Sequence, residues 1–456
     1  MIRGVPARPR ASGESPTEAV DQEAWILVEI AITGATGFLG MHLVRELLER
    51  NASLTVLAHA GSGDAAGRLA GFLQVTGASP RLVDELPRRI AVVDVDVAAP
   101  CLGLSQAEFR RVADGVDAIW HSAALTKLAG DPTELHHVNV DGTRNMLALA
   151  AAGGRRPRFY HVSTAFVAGL SRDPVVYEDR LDASQGFASP YERSKYDAEV
   201  AVRQWSAASG RPVVVFRPSV LVSHRPPHPD LPSDTLEAAA RFMLTVASMA
   251  VESNLVDAEE PTVQTVRVVG DPRARWNMMA VEDAVHDMVR LAERPPAGET
   301  TTYHIVGSRD LPVSLPIDLL ESFLPVRVEL VEHPPADPTP LERIIGMVPG
   351  FLMYLRHRHV FDDTRTRTAL GERLAETPVD RDYLLSGLGI ADPPPADLLG
   401  SELLTRALSA YDPTARATPA PPTDPHPPTD DAVHAYPAAR TDPAPRVETT
   451  QGWSSP

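Results

Sequence analysis

The chain has 456 residues, 43% of them hydrophobic, enough to bury a large core or to form two domains. A formal charge of -17 argues against a nucleic-acid partner, because a phosphate backbone asks for a basic surface. The single cysteine, Cys101, excludes an internal disulfide, and the absence of an apolar leader or a run of about 18 apolar residues predicts a soluble, cytoplasmic protein with no membrane span.

Residues 1–24 are polar and carry Pro, Gly and Ser, which predicts a disordered N-terminal segment. Ala24 to Ile32 is then an apolar, partly β-branched run that leads into Thr33-Gly34-Ala35-Thr36-Gly37-Phe38-Leu39-Gly40. The glycines follow a G-x-x-G-x-x-G spacing. Gly34 suits a tight turn out of a strand, Gly37 a backbone that approaches a pyrophosphate without a Cβ, and Gly40 a helix packed close against the sheet. Met41 to Arg50 has helical spacing, with Leu and Val on one face. A helix N-terminus offers free N–H groups and a positive dipole end to an anion. Gly34, Thr36, Gly37, Phe38, Leu39 and Gly40 are therefore the expected cradle of a dinucleotide.

Leu54 to Ala58 reads as a second strand, whose end should meet the adenosine ribose. An acid there would accept from a free 2′-hydroxyl, and an arginine would bind a 2′-phosphate. This chain offers His59, then Asp64 as the first acid and Arg68 as the first arginine. The pattern predicts NADP rather than NAD, with Arg68 reaching the phosphate and His59 assisting. Ile90 to Val95 is a third strand, and Asp96 after it is placed to accept from the adenine amino group, beside Val97. Ala118 to Trp120 is a fourth strand, Asn139 to Ala152 a helix, Phe159 to Val162 a fifth strand and Val213 to Phe216 a sixth.

Tyr191 to Arg203 is helical after Ser189-Pro190, and positions i and i+4 project Tyr191 and Lys195 together. A phenol titrates near pH ~10, and a nearby ammonium lowers that value. Lys195 can also hold the nicotinamide ribose. Thr164, at the end of the fifth strand, supplies a hydroxyl to orient a carbonyl. Thr164, Tyr191 and Lys195 are the candidate catalytic set.

These residues resemble those of the extended short-chain dehydrogenase/reductase family, and within it the thioester-reductase and fatty-acyl reductase branch. The resemblance is carried by Thr33 to Gly40, His121-Ser122-Ala123-Ala124, Asn139 to Thr143, Val162-Ser163-Thr164, Tyr191 with Lys195, and Arg217-Pro218-Ser219. Asn277 to Asp283 and Leu102 to Ser105 with Phe109 are similar to segments of that branch. It covers about residues 28–310. It implies Thr164, Tyr191 and Lys195 as the catalytic residues and His121, Ser122, Ala123 and Ala124 as a wall of the cofactor cleft. Pro218 and Ser219 join the cofactor contacts. The branch usually carries an arginine where His59 stands, and here it does not. With no adenylation or carrier domain ahead of the fold, the resemblance has the acyl group arriving on a separate carrier or as a free thioester.

The expected architecture is α/β: a Rossmann-type doubly wound parallel sheet with a smaller, mostly helical C-terminal substrate domain and disordered termini. Residues 25–310 form the NAD(P)-binding domain, with substrate-side insertions at about 224–265. Residues 311–410 form the substrate region, and 411–456 a Pro-rich tail. Leu236 to Val251 and Ile344 to Leu355 are apolar helical candidates for a substrate pocket. The histidines lack metal-ligand spacing, so no metal is expected. The run Arg356-His357-Arg358-His359 reads as a solvated or anion-facing end. The expected partner is a small-molecule or carrier-bound acyl substrate, and a homodimer is left open. The leading expectation is an NAD(P)H-dependent reductase of an apolar carbonyl or acyl thioester. A nucleotide-sugar epimerase/dehydratase or hydroxysteroid-type dehydrogenase, and a non-catalytic dinucleotide sensor, are the alternatives.

Overall fold

The computed structural model describes residues 28–61, 63–241, 263–321, 326–346, 352–371 and 376–389. The expected disordered segments 1–24 and 411–456, and residues 242–251 and 347–351 of the two apolar helices, lie outside them.

Each strand expected in the first half forms; the first is shorter than the run from Ala24 to Ile32, whose residues 24–27 lie outside the described ones, and the other bounds shift by a residue or two. In chain order the elements are β1 (Glu29–Thr33), α1 (Phe38–Glu49), β2 (Ser53–His59), α2 (Ala65–Val75), α3 (Pro80–Arg89) and β3 (Ile90–Val95). They continue with α4 (Gln106–Gly115), β4 (Ala118–His121), α5 (Pro132–Leu135), α6 (Gly142–Ala152), β5 (Arg158–Val162) and β6 (Val175–Val176). Next come α7 (Pro190–Ser209), β7 (Val213–Pro218), β8 (Val220–Val222), β9 (Gln264–Val269), β10 (Arg275–Ala280) and α8 (Val281–Ala292). The last are β11 (Thr300–Ile305), β12 (Asp310–Pro312), α9 (Ser314–Glu321), β13 (Val326–Val331), α10 (Pro340–Gly346), β14 (Val360–Phe361), α11 (Thr364–Leu370) and α12 (Arg381–Gly387).

Among the described residues, seven parallel strands form the main sheet in the order β11-β7-β5-β4-β1-β2-β3. The order reverses between β1 and β4. That reversal opens a crevice at the carboxyl ends of the strands, where an open α/β sheet takes its ligand. Both faces are covered, so the central strands are apolar on both sides. On one face Trp120 stacks on Tyr160 at 4.7 Å and on Phe216 at 5.4 Å, against α1 and α8. On the other, Ile119, Phe159 and Val215 meet α4 and α6.

Smaller sheets carry the rest. β10 pairs β8 in parallel and β12 in antiparallel, β13 pairs β9, and β14 pairs β6. A second apolar core forms around Trp276, Met278, Leu311 and Leu384. The β14–β6 pairing matters most, because it brings residues near 357 back to the end of β5.

The helix expected over Asn139 to Ala152 begins earlier and is not regular. α5 runs into a π turn over His136–Asp141 before α6. Asn139 explains the irregularity. Its side chain pairs with both backbone groups of Leu125, at 2.7 and 3.0 Å, and donates to the Ser194 hydroxyl at 2.8 Å. The turn thereby ties the β4 loop to α7. No helix among the described residues is long and apolar enough to cross a membrane.

Candidate active site

At the end of β1 the backbone enters the left-handed region at Gly34, φ +70°. A Cβ there would stand 2.7 Å from the Ala123 nitrogen and 2.8 Å from the Ser122 carbonyl carbon. Gly34 thus serves both the turn and the close approach of the β4 loop. A Cβ at Gly40 would fall 1.9 Å from the Gly34 carbonyl oxygen. The first turn of α1 therefore packs on the glycine turn itself, rather than on the sheet as the spacing suggested. Gly37 differs: a Cβ there would meet only the Gly34 oxygen, at 3.4 Å, with open space beyond.

Gly37 caps α1 without a side chain, and the first intrahelical bond runs from the Met41 N–H to the Gly37 carbonyl. The N–H groups of Phe38, Leu39 and Gly40 are left for an external acceptor. Unspent donors, a positive helix end and side-chain-free space fit a dinucleotide pyrophosphate.

The ribose end is equally specific. Asp64 is spent on capping α2, accepting the Gly67 N–H at 2.9 Å. His59 turns back to accept from the Gly61 N–H at 3.0 Å. Arg68, in the first turn of α2, donates to the Thr36 carbonyl at 3.0 Å. Its exposed guanidinium therefore lies across the mouth of the cradle.

Asp96 is held at the end of β3 by a strained loop. Its N–H donates to the Leu102 carbonyl at 3.0 Å, and its carboxylate accepts from Ala98 at 2.9 Å. Cys101 and Leu102 are left-handed non-glycine residues, each costing roughly 1–2 kcal/mol. Full burial of Leu102 offsets that cost. The Val97 carbonyl accepts from Asn145 at 2.8 Å. At the β4 end, the backbone of Ser122 and Ala123 packs against the glycine turn. The His121 ring lies below it, bonded to the hydroxyls of Thr33 at 2.8 Å and Thr143 at 3.0 Å. Burial holds that ring neutral, its pKa down to about 3.

Thr164 ends β5, and its hydroxyl accepts the Phe166 N–H at 3.3 Å while donating weakly to the Pro218 carbonyl at 3.4 Å. So long a bond is readily exchanged for a carbonyl ligand. Tyr191 stands in the first turn of α7, capped by Ser189. Burial and then the Glu192 carboxylate push its phenol above the usual range. Lys195, 3% exposed, donates to the Val162 carbonyl at 2.7 Å, and burial holds its ammonium down to about 8 against the opposing pull of Glu199. The two residues share a helical face as expected, but the ammonium is spent on the backbone of β5, and nothing here lowers the phenol.

Glu199, one turn further along α7, is fully buried. It accepts from the Ser163 hydroxyl at 2.9 Å, twice from Arg217 at 3.0 and 2.7 Å, and from Arg203 at 2.8 Å. Ser163 is thus a strut between β5 and α7. Removing one partner of a buried pair strands the other's charge. Arg217→Met should therefore destabilise the fold by about 3 kcal/mol in chemical denaturation. A loss near zero would show that Arg203 and Ser163 satisfy Glu199 alone.

Thr164 and Tyr191 line one cavity of about 450 Å³, with Phe38 from the cradle helix and Ser219 after β7. The Ser219 hydroxyl is buried there without a partner. The remaining wall is mostly apolar: Leu128, Phe166, Val220, Leu236, Trp276, Met278, Tyr354 and Phe361. Glu192 is buried, and burial pushes its carboxyl up to about 7. Only part of this lining comes from the C-terminal third. Phe166, Glu192, Glu199 and His357 are functional-site neighbours that sequence reasoning missed, whereas Tyr354 belongs to the expected pocket stretch Ile344 to Leu355. The available signals were that Phe166 follows Thr164 by two residues and that Glu192 directly follows Tyr191. The run from Arg356 to His359 is a solvated, anion-facing end only through its exposed arginines, because His357 lines the cavity.

The model of the NAD-binding domain family described as Male sterility protein matches residues 32–268, more than half of the chain. An isonitrile lipopeptide synthase from Streptomyces coeruleorubidus is 35% identical over 193 residues, 41% of this chain and 13% of that protein. A carboxylic acid reductase from Mycobacterium tuberculosis (strain ATCC 25618 / H37Rv) is 27% identical over 299 residues, 62% of this chain and 24% of that protein. The chain therefore spans a small part of these relatives. The crystal structure of the terminal R domain from the myxalamid PKS-NRPS biosynthetic pathway is 25% identical, with a TM-score of 0.62 over 80% of this chain and 90% of that one.

Proposed function

Because this chain belongs to the Male sterility protein family of NAD-binding domains, in the extended short-chain dehydrogenase/reductase family, we propose that it reduces an apolar acyl thioester or carbonyl with NADPH. The observation that carries this reading is the single apolar cavity that Thr164 and Tyr191 share beside the glycine cradle. Likeness to reductase domains of PKS-NRPS pathways and to carboxylic acid reductases supports a carrier-bound acyl substrate.

The free N–H groups of Phe38, Leu39 and Gly40 and the spare hydroxyl of Ser219 would hold a reduced nicotinamide dinucleotide, which would supply hydride-donating chemistry. Thr164 gives up its long bond to Pro218 and orients the substrate carbonyl. Tyr191 donates its phenolic proton to the oxygen as charge develops there, which its raised proton affinity permits only in step with that charge; with a thioester, the hemithioacetal so formed then breaks its C–S bond to leave an aldehyde and the free thiol. Lys195 supplies positive charge under the site and hydroxyl-binding capacity towards a ribose. The apolar lining excludes water from the reacting carbonyl.

NADPH preference rests on Arg68, since a guanidinium–phosphate pair is charge-assisted and often bidentate. Arg68→Ala should narrow the gap between NADPH and NADH mainly through the NADPH Michaelis constant, by about tenfold. Equal efficiency with both cofactors, unchanged by the substitution, would show Arg68 to be a helix-surface residue. The broader test is to identify the nucleotide that co-purifies and then measure NADPH and NADH oxidation against acyl thioesters, aldehydes and sugar nucleotides. Tightly retained NAD with turnover of a sugar nucleotide alone would replace this reading with the epimerase class.

A further inference from the structure

Beyond the reacting carbonyl, the cavity wall is a cluster of rings. Phe166, two residues after Thr164, packs at 4.8 Å on Tyr354, 5.3 Å on His357 and 5.9 Å on Phe361, measured between ring centres. His357 is the polar member of that wall, and its hydrogen bonding can be read outward from a fixed point. The Ser171 carbonyl can only accept, so His359, 2.7 Å away through Nε2, carries its proton on that nitrogen. A neutral His359 then has a bare Nδ1, which lies 3.2 Å from Nε2 of His357. His357 must donate there, and its own proton is committed to Nε2. Nδ1 of His357 is consequently an acceptor. It has no hydrogen-bond partner among the described residues and is not sealed from solvent. Burial keeps the ring neutral, its pKa held down to about 3, so the lone pair persists at physiological pH.

Two other polar groups of the far wall are already engaged. Asp234 accepts from the Ser223 and Glu237 N–H groups at 2.9 and 2.8 Å, and Asn277 is bonded to Gly307 through both ends of its amide. We propose that Nδ1 of His357 is a specificity determinant that selects acyl chains bearing a neutral hydrogen-bond donor, a hydroxyl or an amide N–H, over plain hydrocarbon chains. The proposal deepens the reductase reading and rests on it for the identity of the acyl group. An unsubstituted chain that displaces water from this acceptor leaves it unpaired, which is the arrangement that rejects an analogue lacking its donor.

The probes are N-acetylcysteamine thioesters of octanoate and of 3-, 5- and 7-hydroxyoctanoate. Binding is measured by calorimetry without reduced cofactor, and turnover is then measured with NADPH. At least one hydroxylated probe should bind about tenfold or more tightly than the octanoyl probe. His357→Leu should bring the pair within about twofold, and His357→Gln, whose amide oxygen can accept, should restore part of the preference. Equal binding of all four probes by the wild type, or a preference that survives His357→Leu, would overturn the proposal. A binding preference without turnover of any thioester would instead unseat the reductase reading and leave the His357 assignment standing.

Discussion

Tyr191→Phe is expected to abolish turnover, by at least about a thousandfold in kcat, while leaving cofactor affinity within a few-fold. The substitution removes one oxygen and keeps the ring that lines the cavity. Burial and Glu192 already hold the proton on that oxygen, so no other described group replaces it as the donor beside Thr164. Tyr354 borders the same cavity, but burial and then the Glu192 carboxylate push its phenol above the usual range as well. A variant that retained near-normal kcat would remove Tyr191 from the chemistry and point to the Tyr354–Glu192 pair instead. Lys195→Ala should be worse than Tyr191→Phe, because it costs both the positive charge under the site and the tie to Val162.

Gly37→Val is expected to fold and to lose dinucleotide binding by at least about a hundredfold. Its neighbours set the contrast. Side chains at Gly34 or Gly40 would collide with backbone at 2.7 and 1.9 Å and damage the turn itself. At Gly37 the nearest atom to a new Cβ is 3.4 Å away, an ordinary contact, and φ is -86°. The fold has no objection to valine there. The branched methyls instead occupy the space in front of the free N–H groups of α1, where a pyrophosphate must sit. Calorimetry with NADPH and NADH, alongside a melting curve, separates the two effects. Normal binding by a folded Gly37→Val protein would move the phosphate site elsewhere.

The parts of this site that were legible in the chain are those whose requirement is local. A glycine turn is specified by backbone conformation and close approach, which no other residue type satisfies at Gly34 or Gly40. Tyr191 and Lys195 share a face because helical periodicity makes i and i+4 neighbours. The strand–helix alternation likewise dictates the parallel sheet and its crevice. What could not be read locally depends on partners far along the chain. Glu199 resembles any helix-surface carboxylate until Arg217 arrives from the end of β7. Asp64 looked like the first acid available to a ribose, but the glycine three residues on converts it into a helix cap.

The run from Arg356 to His359 shows the same limit. Alternation in an extended segment puts successive side chains on opposite faces. The arginines go one way, to the Glu332 carbonyl and the Asp271 carboxylate, and the histidines go the other way, towards Phe166. Pairing of β14 with β6 decides which face is the inner one, and that pairing joins residues far apart in the chain.

The central claim is that one cavity unites hydride transfer with Tyr191 as proton donor on an acyl thioester. The most direct measurement follows free thiol and NADPH together in single incubations of the wild type and Tyr191→Phe with an octanoyl or hydroxyoctanoyl thioester. The account predicts thiol release strictly dependent on NADPH, in fixed proportion to its oxidation, and absent from Tyr191→Phe. Thiol released without NADPH, or NADPH oxidised without thiol release, would contradict it.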